Sequence, residues 1–357
     1  MDRLRGAAAR PGRAAEGRAQ VTAGAARNVP ALGRTIAPIA LGGWLTLGDR
    51  LAADASLRLL HRAIDGGIDF LDVADVYAGG EAERIVGRFL REVRRDRVVV
   101  ASKVFWPTSE RPEDRGLSRR HIHAAIDRTL QRLGCGRVDL YFCHREDPDV
   151  PLAETVRAMG DLVRAGKVAA WGTSCWRPAT LRAAHALARE LGVAAPAVEQ
   201  SAYNLLERSV EGGVLPTCAT LRMGFVAFSP LAGGVLTGKY LTAAPAGSRG
   251  AVSSWLAAYD NARCRGVVAR FVSACAARGM APAPTALAWV ASRPGVTAAL
   301  CGATSPTQLD QNLAAVGLLR DGQDLAWVGG LASASLGVRA RALAWALRRV
   351  FLRTKTD

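Results

Sequence analysis

The sequence is short of lysine. Of its 47 basic residues, only Lys103, Lys167, Lys239 and Lys355 are lysines. Arginine keeps its proton in proteins, whereas lysine is a compact charge whose pKa can move on burial. A lysine kept against that bias is a candidate for chemistry that arginine cannot do; Lys355, in the tail, carries no such signal. Paired cysteines are also missing. The seven cysteines (Cys135, Cys143, Cys175, Cys218, Cys264, Cys275, Cys301) are scattered and never spaced C-x-x-C. That pattern supplies neither a metal-ligand set nor a disulfide framework, and it suits a reducing cytoplasm. No apolar run is long enough to cross a membrane. The Arg- and Ala-rich start lacks the apolar stretch of a secretory signal. The middle of the chain has little excess charge for its length. Of the formal +16, more than half lies before Arg34 and after Val338. This placement speaks for two solvated basic ends and against a nucleic-acid partner.

What is present is a long apolar-rich chain, half of its 357 residues hydrophobic. That is enough for one large core. Its organising stretch is IDFLDVADVYAGGEAE, Ile68 to Glu83. A short apolar run ends in Asp72, Tyr77 follows, and Gly79-Gly80 opens a segment of helical spacing. A carboxylate at the end of a buried strand needs a partner.

Residues 1–28 are low-complexity and read as a disordered basic tail, or as the product of an upstream start codon. From Ile36 a repeat appears. Strand-like runs occur at 39–42, 70–72, 98–102, 140–144, 169–172, 197–200, 225–228 and 298–301. Amphipathic stretches lie between them at 55–65, 118–133, 152–165, 178–191 and 306–316, with Gly66, Gly134, Gly166 and Gly192 as stops. Eight strands alternating with helices predict an α/β fold, a (β/α)8 barrel over 29–325. A doubly wound open sheet is the alternative. The segment 326–357 forms a basic extension. Within it, Val338 to Lys355 patterns as a basic amphipathic helix, by default a surface helix and otherwise a peripheral contact for a membrane surface or partner.

A barrel concentrates its chemistry where strands end. The predicted strands end in Asp72, in Ser102-Lys103, in His144, in Gly172-Thr173-Ser174, in Glu199-Gln200 and in Ser229-Pro230-Leu231. Lys103 is then the partner Asp72 requires. Asp72, Tyr77, Lys103 and His144 form a coherent acid–base set. A phenol has an ordinary pKa of about 10, and a nearby ammonium lowers it. Tyr77 can protonate a carbonyl oxygen, with His144 hydrogen-bonding the same atom. Singly, each residue reads more simply as a structural histidine or an ordinary ion pair; on adjacent strand ends they point to catalysis.

With these residues the chain resembles the aldo/keto reductases. The tetrad falls on FLDVADVY (Asp72, Tyr77), ASKVFW (Lys103) and DLYFCHREDPDVP (His144), supported by WGTS and FSPLAGGVLTGKY. The resemblance spans about Leu32 to Val316. It implies a barrel enzyme that reduces aldehydes or ketones with NADPH. GLSRRHI, HREDPDVP, WGTSCW and TGKY resemble the subgroup containing the potassium-channel β-subunits, in which an Asn stands at the place of His144; that difference favours an enzyme. The resemblance further implies that Ser174 and Gln200 hold the nicotinamide carboxamide, with Phe228 stacked on the ring and Gly43 and Trp44 at its border. Ser229, Leu231, Gly233, Lys239 and Arg249 would cover the pyrophosphate and ribose. Gly302, Thr304, Gln308, Gln311 and Asn312 would take the adenosine end. Trp44, Trp106 and Trp176 would wall the substrate pocket. Lys239 and Arg249 are the cations a 2′-phosphate needs, which favours NADPH over NADH. Gly43 and Cys175 stand where the channel subunits carry Thr and Arg.

GGVLTGK (Gly233 to Lys239) nearly spells a nucleotide-triphosphate P-loop, but Tyr240 replaces the magnesium-binding Ser or Thr. Two further roles remain open: a cofactor-sensing regulatory subunit of a membrane protein, and a reductase of nucleotide-deoxysugar ketones or enones. An oligomer is compatible with everything above.

Overall fold

A computed structural model describes residues 26–243, 245, 248 and 254–332. Arg249 and the segment Val338 to Lys355 lie outside the described residues, as do residues 1–25. The eight runs form strands β3 (Ile39–Gly42), β4 (Phe70–Asp72), β5 (Val99–Val104), β6 (Val138–Cys143), β7 (Val168–Ser174), β8 (Val198–Ala202), β9 (Gly224–Phe228) and β10 (Ala298–Cys301). All pair in parallel, and β10 bonds to both β3 and β9. The sheet therefore closes as a barrel in the order β10-β3-β4-β5-β6-β7-β8-β9, and the open-sheet alternative is excluded.

The two-residue period of a strand explains both cores. Ala40, Phe70, Val99, Ala101, Leu140, Phe142, Ala170, Val198, Val226, Ala298 and Leu300 point inward and fill the barrel. Their neighbours Leu41, Leu71, Val100, Tyr141, Trp171, Phe225 and Ala299 belong to the outer core. There they meet helices α1 (Ala53–Asp65), α2 (Glu81–Leu90), α3 (Arg119–Leu133), α4 (Leu152–Arg164), α5 (Pro178–Glu190), α6 (Val214–Thr220), α7 (Ala262–Ala276), α8 (Pro282–Ser292), α9 (Pro306–Arg320) and α10 (Ala326–Gly330).

Local chemistry sets the helix ends. Ser118 caps α3 by accepting from the His121 amide at 3.2 Å, and Gly134 ends it in a left-handed conformation. Proline occupies the first turn of α5, α8 and α9, where its missing N–H costs nothing.

The expected stretches do not include α6, α7 or α8, nor a hairpin of β1 (Arg27–Val29) and β2 (Arg34–Ile36), turned at Pro30–Leu32. Its Val29 and Ile36 join the inner core and cover the N-terminal end of the barrel. With that end covered, the opposite mouth is the open one. The β9-to-β10 connection is long, holding a tight turn at Ala232–Thr237 and both α7 and α8.

Candidate active site

The inward face of each strand carries apolar core at its start and polar chemistry at its end. Asp72 is two residues beyond Phe70, Lys103 two beyond Ala101, and His144 two beyond Phe142. Ser174, Gln200, Phe228 and Gly302 follow Gly172, Val198, Val226 and Leu300 in the same way. A period of two therefore delivers all seven to the mouth. Backbone strain gathers there too. Among the described residues, five of the six non-glycine residues with positive φ, Leu45, Ala78, Cys175, Ser229 and Ala232, lie in loops that leave barrel strands at this end.

Lys103 is the hub. Its Nζ donates to Asp72 Oδ2 at 2.5 Å, to the Val73 carbonyl at 2.9 Å and to Tyr77 Oη at 3.1 Å. Gln200 Nε2 donates to the other Asp72 oxygen at 2.8 Å. Lys103 is 0% exposed and Asp72 3%. The Tyr77 and His144 rings meet edge-on with centroids 5.9 Å apart, and Trp106 packs against the other side of His144 at 6.1 Å.

Each protonation state has a cause. Burial pulls the Lys103 ammonium down, but Asp72 and Tyr77 outweigh it, so its pKa rises above the ordinary lysine value. Burial, with Arg145 and Lys103 nearby, holds His144 well below the ordinary imidazole value, so it is neutral at pH 7. For Tyr77 the net direction differs from the expectation. Lys103 does pull the phenol down, but burial and Asp72 push it up, and the sum lies above the ordinary value. Tyr77 therefore stays protonated at neutral pH, the form a proton donor needs.

The Tyr77 turn is clamped from behind. Glu83, fully buried in α2, accepts from Ser102 Oγ at 2.6 Å and from Arg132 Nε at 2.5 Å. Gly80, at φ +88°, leads into α2, and a Cβ there would lie 2.9 Å from Arg132 Cδ. Gly80→Ala is expected to destabilise the fold by about 1 kcal/mol or more, through left-handed strain and the displaced arginine. A urea unfolding curve tests this; an unchanged midpoint would contradict it.

One cavity of about 550 Å³ opens over the tetrad and runs to β10. Asp72, Tyr77 and His144 line it with Trp44, Ser174, Gln200 and Phe228. Farther along come Ser229, Leu231, Gly233 and Lys239, then Gly302, Thr304, Gln308, Gln311 and Asn312. Lys103 stands behind Asp72 and Tyr77. Gly43 lies beside the cavity and not in its lining: its N–H donates to the Asp72 carbonyl at 2.8 Å, and a Cβ there would sit tightly, 3.0 Å from Val73 and 3.1 Å from Leu47. Trp176 is 2% exposed, in the outer core, and Trp106 lies outside the cavity lining, packed against His144 and Arg145. The Thr304 N–H and hydroxyl both bond Gln308 Oε1, at 2.9 and 3.0 Å.

Arg145, Arg50 and Thr46 also line the cavity, and the sequence pattern does not single them out. Only their distance of a few residues from strand ends could have marked them.

The groove suits a dinucleotide. Left-handed residues Ser229, Ala232, Gly233, Gly234 and Gly238 turn the loop after β9 sharply, and Gly233 and Gly234 bring its backbone to the groove with no side chain between. Lys239 Nζ lies 5.1 Å from the Tyr240 ring and forms no ion pair among the described residues. The N-terminus of α9 opens on the far end.

The sequence profile of the aldo/keto reductase family matches residues 38–328. The chain belongs to the aldo/keto reductase family. It is 38% identical over 304 residues to a probable voltage-gated potassium channel subunit beta of Oryza sativa subsp. japonica, covering 82% of this chain and 91% of that protein. It is 37% identical to the Arabidopsis thaliana counterpart, with the same coverage. A putative channel subunit beta of Schizosaccharomyces pombe is 36% identical, covering 81% of this chain and 89% of the other. Among the described residues, no helix is long and apolar enough to cross a membrane.

Proposed function

We propose that the protein reduces an aldehyde or ketone with NADPH. The observation that carries this reading is the buried contact set of Lys103 with Asp72 and Tyr77, beside a neutral His144, all at one end of a groove that runs on to the loops after β9 and β10. Ser174, Gln200 and Phe228 would hold the nicotinamide, and Lys239, with Arg249, the 2′-phosphate. When bound, NADPH supplies the hydride that the carbonyl carbon takes up, leaving NADP⁺. Tyr77 gives its proton to the carbonyl oxygen. The Lys103 ammonium stabilises the phenolate that remains until solvent returns a proton. His144 donates a hydrogen bond to the same oxygen and fixes its direction.

Fluorescence titration with NADPH, and turnover of 4-nitrobenzaldehyde or a quinone, test the proposal. Reduction needs the protonated phenol, and burial raises its pKa. The rate is therefore full on the neutral side and falls as pH rises through that pKa. A rate that climbs with pH would count against Tyr77 as the acid.

The named relatives favour a second reading, a cofactor-binding regulatory subunit of a membrane channel. It predicts tight NADPH binding, negligible repeated turnover and recovery of a membrane partner in pull-downs. Ordinary steady-state turnover by the isolated protein would reject it.

A further inference from the structure

Arg145 follows His144 at the end of β6 and lines the same cavity as Tyr77. Its Nη1 is engaged by the protein: it donates to the His144 carbonyl and, at 3.3 Å, to Ser174 Oγ. The guanidinium carbon lies 5.6 Å from the centre of the Trp106 ring. The Nε–Nη2 edge, the side of the fork that takes a carboxylate bidentately, makes no bond to any described residue. Arg62 uses that same edge on Asp310 and Arg208 uses it on Glu211. Nor is the charge balanced by its acidic neighbours. Glu146 accepts from the backbone and side chain of Arg177, at 2.5 and 2.8 Å. Asp147 accepts from the amides of Leu117 and Asp149.

The position of this cation separates it from the phosphate end of the groove. In the closed strand order, β6 is diametrically opposite β10. The loops after β9 and β10 carry Lys239 and the α9 N-terminus, so a pyrophosphate held there lies across the mouth from Arg145. What faces Arg145 is the space beside Tyr77 and His144, where a carbonyl would be reduced.

We infer that Arg145 is a specificity-determining residue that binds a carboxylate on the substrate, so that the preferred carbonyl compounds are small anions. The substrate class rests on the carbonyl-reductase reading; the anion site itself does not. An arginine fork on a carboxylate is a strong, charge-assisted pair, and its loss weakens binding about ten- to a hundredfold.

Two measurements test the inference. The first is equilibrium binding, by titration calorimetry with and without NADP⁺, of 3- and 4-carbamoylbenzoate against the neutral isophthalamide and terephthalamide. Wild-type protein is expected to favour at least one carboxylate over its diamide at least tenfold. Arg145→Gln should abolish that preference, and Arg145→Lys, which keeps charge but not the fork, should retain part of it. Equal affinity for carboxylate and diamide in the wild type, or a preference that survives in Arg145→Gln, would overturn the site. The second is the ratio of kcat/KM for 3- and 4-carboxybenzaldehyde to that for their methyl esters, expected to fall at least tenfold in Arg145→Gln. If neither the acids nor the esters are reduced, carbonyl reduction fails while the binding result still decides the anion site. If the esters are reduced and the wild type shows no preference for the acids, the inference fails alone.

Discussion

Tyr77→Phe is expected to lower carbonyl turnover by about 10²–10⁴-fold, the usual contribution of a positioned acid, while NADPH affinity changes little. The reason is geometric. The phenol oxygen is 3.1 Å from Lys103 Nζ and the ring packs edge-on to His144, so phenylalanine keeps the packing and removes only the transferable proton. Asp72 still holds the Lys103 ammonium and Glu83 still clamps the loop, so the site should otherwise persist. Steady-state kinetics beside a fluorescence titration separates the two effects. Normal turnover in this variant would remove Tyr77 from the mechanism, and a collapse of cofactor binding would give it a structural role instead.

Lys103→Met is expected to have the larger effect on stability. It leaves the Asp72 carboxylate buried with Gln200 as its remaining side-chain donor. Breaking one side of such a buried pair costs about 3–5 kcal/mol, a large part of the roughly 5–15 kcal/mol by which folded domains are stable. Activity should fall steeply as well, since the ammonium that contacts the phenol oxygen is lost. The double variant Asp72→Asn with Lys103→Met removes both charges, so it should recover much of the stability and none of the turnover. Chemical denaturation of the two variants measures this coupling. If Lys103→Met were as stable as wild type, the pair would not carry the energetic weight its burial implies.

Most of the residues behind these predictions stand out in the amino-acid order alone. The barrel is legible because each strand is a short apolar run bounded by glycine or polar stops. Observed strands differ from the expected runs mainly at their ends, as at β5 and β6, because pairing extends them past the apolar residues. The β1–β2 hairpin is not legible: it is brief, borders a low-complexity tail and owes its stability to Val29 and Ile36 covering the barrel end. Arg145 is hidden in HREDPD, a stretch read for His144 whose order gives no sign of which charges pair. Only the structure shows its acidic neighbours turned to Arg177 and Leu117. The direction of the Tyr77 shift is equally out of reach, since it depends on how much burial opposes Lys103.

The order of residue types along the chain determined the eight-strand repeat, the inward face of each strand and therefore which side chains reach the mouth. Periodicity is local, and a strand cannot bury one face without directing every second residue there. The closed barrel decided which of those side chains meet, which charge stays unpaired and which phenol keeps its proton. Those outcomes depend on distance and desolvation among residues far apart in sequence, and only packing sets them.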